Sequence, residues 1–155
     1  MKTLIILYSR TNNTKKVAEA IQNKLSCDIE EVIPETNYSG KIGYVRGGKD
    51  SAIGKKIKIE KPNYNPEDYD CIILATPIWA GTMSSPILAY INENVNKFKN
   101  VMFIATSKSD DGEKTFNKMS KIIGKEPLET LIVKESELNN LDSKISSIID
   151  KIEKN

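Results

Sequence analysis

Near the start of the chain, Ser9-Arg10-Thr11-Asn12-Asn13-Thr14 gathers three hydroxyls and two side-chain amides in six residues. The stretch runs directly into a segment of helical period, with Val17, Ala18, Ile21 and Leu25 on one face and Lys15, Lys16, Glu19, Gln22 and Asn23 on the other. Hydroxyls, amides and the free N–H groups of a helix start are neutral donors, and together they suit a terminal phosphate. A plain helix cap, contributing about 1 kcal/mol, needs one such residue, so five of them exceed what capping requires. The stretch has neither the glycine–lysine signature of a triphosphate loop nor the three-glycine fingerprint of a dinucleotide site, which leaves a monophosphate.

Other chemistries are thinly supplied. Histidine is absent, which excludes His-dependent triads, His general bases and His-ligated metal sites. The two cysteines, Cys27 and Cys71, form no CxxC pair and are too few for an iron–sulfur cluster. Cys71 lies in the apolar run Cys71-Ile72-Ile73-Leu74-Ala75, where a thiol acts as a small buried hydrophobe, and free cysteines fit a reducing cytosol. The balance of 23 basic against 21 acidic residues, net +2, gives no general attraction for nucleic acid. The apolar N-terminal stretch is too short for a signal peptide, and no run approaches the ~20 apolar residues of a membrane span, so the sequence predicts a cytoplasmic protein with no membrane or nucleic-acid partner.

The elements that must position the loop come next. Apolar runs over residues 3–8, 71–76, 101–106 and 128–133 are nearly continuous, the pattern of parallel strands covered on both faces. A fifth run, 28–33, alternates and suits an edge strand. Segments of helical period follow at 14–25, 86–95, 115–123 and 138–152. This alternation predicts one domain over residues 1–155, an open doubly wound α/β sheet of five parallel strands with helices on both faces. Residues 34–66 are long, polar and rich in glycine; Ile42, Tyr44, Val45, Ala52 and Ile53 allow a short helix there, with an extended piece at 56–60. In such a sheet ligands bind beyond the carboxyl ends of the strands, near the point where strand order reverses, which points to the loops after each strand, the one after the first strand among them.

Ser9-x-Thr11-x-x-Thr14 after an apolar strand, followed by Ala18 and Ile21, resembles the phosphate loop of flavodoxins, which hold flavin mononucleotide (FMN). Asn12 stands where many of that family carry Gly, and Asn tolerates positive φ better than other residues with a side chain. Ala75-Thr76-Pro77-Ile78-Trp79-Ala80-Gly81-Thr82-Met83 resembles the flavin-ring loop of the same family, and Gly40-Lys41-Ile42-Gly43-Tyr44-Val45-Arg46-Gly47-Gly48 resembles a stretch found after the second strand in one branch of it. The resemblance spans essentially the whole chain. It implies a flavodoxin-like sheet of order 2-1-3-4-5 and non-covalent FMN. Ser9, Arg10, Thr11, Asn12, Asn13 and Thr14 would then meet the phosphate, and Pro77, Ile78, Trp79, Ala80, Gly81 and Thr82 the ring. Ser107, Asp110 and Gly112 would meet its pyrimidine edge. Trp79, the single tryptophan, offers a flat surface for stacking, against the competing reading that it packs in the core.

By the same resemblance the function is electron transfer to redox partner proteins, with the chain a monomer or weak dimer. The competing reading is a flavin-dependent NAD(P)H or quinone oxidoreductase on the same fold, which needs a pocket for a second substrate. A third is an accessory protein without flavin, since one architecture hosts many functions.

Overall fold

The computed structural model describes residues 1–109 and 111–154. Its centre is a parallel sheet. Strand β1 (Thr3–Leu7) pairs with β2 (Asp28–Glu31) on one side and β3 (Cys71–Trp79) on the other; β3 pairs onward with β5 (Asn100–Ser107), and β5 with β6 (Thr130–Lys134). The two-residue strand β4 (Thr82–Met83) pairs antiparallel with the end of β3. Counting only the five parallel strands in chain order, the sheet runs 2-1-3-4-5, as the resemblance implied.

Side-chain alternation divides the core. Leu4, Ile6, Ile72, Leu74 and Phe103 face one layer with Ile87, Tyr90 and Ile91 of helix α3 (Ser85–Asn94) and Met119 and Ile123 of α4 (Glu113–Ile123). Ile5, Leu7, Ile73, Met102 and Ile104 face the other, with Val17, Ala18 and Ile21 of α1 (Asn13–Leu25) and Ile145, Ile148 and Ile152 of α5 (Leu141–Glu153). Both faces are covered, which is why the central strands need apolar residues at every position. Cys71 is buried there, and burial pushes its thiol up to about 12.

Two segments differ from the sequence reading. Residues 40–52 form a full helix, α2 (Gly40–Ala52), in place of a short one, with Pro34 and Ile59 bridged antiparallel beside it. Strand β3 does not stop at Thr76 but continues to Trp79 and turns back at Ala80 and Gly81, whose φ values of 48° and 73° both lie in the left-handed region. Positive φ at both central residues of a two-residue hairpin matches the twist of the flanking strands. No helix among the described residues is long and apolar enough to cross a membrane.

Candidate functional site

The carboxyl ends of β1, β3 and β5 open on one cavity of about 530 Å³. Ser9, Arg10, Thr11, Asn13, Thr14, Pro77, Ile78, Trp79, Gly81 and Ser107, all singled out in the sequence, line it. Asn12, Ala80, Thr82 and Gly112 do not, and Asp110 lies outside the described residues. Of the four outside the lining, Asn12 and Gly112 start α1 and α4 at φ 66° and 79°, Ala80 turns the hairpin, and Thr82 Oγ1 accepts a hydrogen bond from Lys118 Nζ at 3.2 Å.

The loop between β1 and α1 is built as a donor cradle. Asn12 adopts the left-handed conformation without capping the helix by its side chain, so the backbone of residues 11–14 wraps the helix start. Among the described residues, the N–H groups of Thr11, Asn12, Asn13 and Thr14 take no protein acceptor; the first amides bound in this turn are Lys15 N–H, to Ser9 Oγ at 3.2 Å, and Lys16 N–H, to Asn12 O at 3.0 Å. Because Ser9 Oγ accepts there, its own hydrogen is left to donate. Thr14 and Thr106 share one hydrogen bond of 2.7 Å between buried hydroxyls, which consumes one hydrogen and leaves the other. Free amides at a helix start with two spare hydroxyl hydrogens fit an anion with several acceptor oxygens.

The far wall is aromatic. Trp79 is only 9% exposed; its indole packs edge-on against Tyr8 and Tyr38, each with ring centroids 5.3 Å away. It therefore combines both readings made from the sequence: most of the ring is core, and part of it lines the cavity. Burial raises the Tyr8 phenol to about 12, with Glu31 reinforcing and Arg10 opposing, and burial raises Tyr38 similarly to about 12, helped by Asp50, whose carboxylate accepts the Tyr38 hydroxyl at 2.9 Å. Both rings stay neutral across the physiological range. Thr76 Oγ1 accepts the Ser84 N–H at 3.0 Å and so fixes the base of the hairpin.

Two further lining residues, Tyr44 and Glu135, are not singled out for the site by the sequence. Tyr44, on α2 and largely exposed, closes the cavity beside Arg10, whose guanidinium carbon sits 5.0 Å from the Tyr44 ring centroid. Glu135 follows β6 and accepts a hydrogen bond from Asn13 Nδ2 at 3.4 Å. Tyr44 belongs to the glycine-rich stretch 40–48, but only the fold shows it reaching the loop of Arg10; nothing local marks Glu135. The charged lining is thus Arg10, Lys108 and Glu135, with two cations to one anion among the described residues.

Fold and site together define an open doubly wound α/β protein with a phosphate-type cradle at the point where strand order reverses. More particularly, the fold is flavodoxin-like. The chain superposes on a flavoprotein from Lactobacillus acidophilus, solved in complex with FMN, with a TM-score of 0.70 at 24% identity over 90% of this chain and 97% of that one. It matches two-electron reduced flavodoxin from Megasphaera elsdenii with a TM-score of 0.62 at 17% identity, covering 99% of each chain. A flavodoxin from the domain Archaea matches with a TM-score of 0.55 at 15% identity, covering 97% and 99%. No protein-family model matches the sequence, and no curated protein does.

Proposed function

We propose that the chain binds FMN non-covalently in the 530 Å³ cavity and carries electrons between partner proteins in the manner of a flavodoxin. The observation that carries the reading is the run of unpartnered amides at residues 11–14 in the same cavity as an aromatic wall. A phosphate at one end and a flat apolar ring at the other is the shape of this ligand, and the fold neighbour solved with FMN supports it. When bound, the flavin supplies the redox chemistry.

The chain's own residues bind, orient and exclude water. The amides of Thr11 to Thr14 and the hydroxyls of Ser9 and Thr14 hold the phosphate, and Arg10 adds positive charge beside it. Pro77, Ile78, Trp79 and Gly81 bound the ring on the hairpin side and Tyr44 on the other, with Ser107 at the end of β5 toward its pyrimidine edge. Asn12, Ala80 and Gly112 act through backbone shape and Thr82 through its hydrogen bond with Lys118, and Asp110 follows Ser107 closely in the sequence. The Tyr8–Tyr38–Trp79 cluster keeps the floor apolar, which strengthens each polar contact above it.

The experiment is an absorption spectrum of the protein with added FMN, followed by rapid mixing with NADH or NADPH. Flavin uptake with a flavin left oxidised by both nucleotides supports the carrier. Prompt bleaching moves the protein to the oxidoreductase reading, and absence of uptake removes both.

A further inference from the structure

Helix α2 is inverted. Its buried positions are Gly43, Gly47, Asp50 and Ser51, while Ile42, Tyr44 and Val45 stand in solvent at 76%, 61% and 68% exposure, with Ile53 just past its end at 66%. A side chain at Gly43 would collide with the Tyr38 backbone, and a Cβ at Gly47 would lie 2.9 Å from Trp79 Cζ3. The small residues therefore let the helix settle directly on the aromatic floor of the cavity, and every large apolar residue is left outside. An amphipathic helix in a lone domain places them the other way round, so this face is not explained by folding.

Three further observations describe what fits it. The outer face is concave: a hollow of about 560 Å³ is lined by Ile42, Val45, Arg46, Lys49 and Lys55, among others. It is continuous with the cofactor cavity, because it shares Lys41 and Val45 with a smaller hollow whose other walls include Tyr44 and Arg10, and these two also line the cavity. It is basic: Lys41, Arg46, Lys49 and Lys55 line the hollow against the one carboxylate of Asp50, which is buried and held by Tyr38 and by Lys55 Nζ at 3.5 Å. With four cations to one carboxylate, the hollow carries more positive charge than the net +2 of the whole chain.

We infer that the outer face of α2 docks an electron-exchange protein whose contact patch is apolar and ringed by carboxylates; the word exchange rests on the function proposed above. Complementary charge would steer the encounter, and an apolar centre with a small footprint suits the brief contact of redox proteins. A second copy would set like charges together, and continuity with the cofactor cavity, which a bilayer surface would not need, favours an electron-exchange protein over an anionic membrane.

The test uses the full 15N-labelled chain with FMN, titrated in separate experiments with an acidic plant-type [2Fe–2S] ferredoxin and a basic cytochrome c. Amide shifts centred on residues 41–55 with the ferredoxin, weakening as salt rises, support the inference. The double variant Lys41→Glu/Lys49→Glu and the single variant Val45→Ser should each weaken that response, the former by roughly tenfold. FMN absorbance and far-ultraviolet circular dichroism check that the variants remain folded. Shifts elsewhere, equal response to cytochrome c, or indifference to charge reversal would overturn the inference. So would binding to phosphatidylserine vesicles without a ferredoxin response, which assigns the face to lipid, or self-association through α2 in sedimentation. FMN uptake without a response at α2 rejects the docking surface alone. A response at α2 without FMN uptake upholds the surface and rejects the cofactor reading.

Discussion

The β1–α1 loop and helix α2 border the same cavity and use their residues in opposite ways. In the loop, side chains are polar and, Arg10 apart, small, and among the described residues the backbone amides of residues 11–14 take no protein acceptor. In α2 the inward side chains are nearly absent, and what the helix contributes inward is closeness, brought by Gly43 and Gly47 against Tyr38 and Trp79. The loop offers a candidate site by what it presents; the helix lies close to that cavity by what it lacks. Substituting on the inner side of α2 should therefore damage the fold, substituting in the loop should damage binding, and the outer side of α2 should tolerate change.

The largest effect is expected at Gly43→Ala. The added methyl group meets the Tyr38 backbone, which cannot rotate away, so the loss of stability in a urea titration should reach about 3 kcal/mol, at the upper end of overpacking costs. Equal stability of variant and parent would show that α2 is not held this tightly. The same region should yield first in alkali. Tyr8 and Tyr38 ionise near 10.0 when unfolded and at about 12 when folded, so their contribution is complete below pH 10.0 and is lost as pH rises toward 12. Tyrosinate absorbance should accordingly rise together with loss of the Trp79 environment, rather than before it.

Thr14→Val is next, and it tests the loop. It strands the Thr106 hydroxyl in a buried position and removes one donor from the cradle, at a stability cost of about 1–3 kcal/mol and a larger loss in FMN affinity than any α2 surface change. A fluorescence titration measures the affinity. At Asn12, replacement by Val should cost about 1–2 kcal/mol because φ is 66°, while Gly should be neutral within a few tenths of a kcal/mol. The smallest effect belongs to the outer face: Ile42→Ser and Val45→Ser should each leave stability within about 0.5 kcal/mol of the parent. A substantial destabilisation there would mean that this face is already packed.

Much of the sheet was legible because its central strands are apolar on both faces, and four helices because their periods are regular. The cradle was legible too, since five side-chain donors in six residues are far more than a helix cap uses. Helix α2 resisted because the usual signal is reversed: glycines interrupt it and its large apolar residues face out, so its periodicity describes an exposed face rather than a core-facing one. The hairpin was read as a loop because Pro77 and Gly81 both signal breaks, yet Pro77 lies near the strand end and Gly81 supplies the turn. Tyr44 and Glu135 reach the cavity from distant parts of the sequence, and their role depends on tertiary proximity to Arg10 and Asn13.

The central claim is that the amides of residues 11–14 and the aromatic wall hold one FMN. Equilibrium titration of the purified chain with FMN, followed by flavin fluorescence and Trp79 emission and repeated with riboflavin, tests it most directly. The account predicts saturable uptake of one FMN per chain, quenching of both signals, and much weaker binding of riboflavin, which lacks the phosphate. Unchanged fluorescence with FMN, or equal affinity for riboflavin, would contradict it.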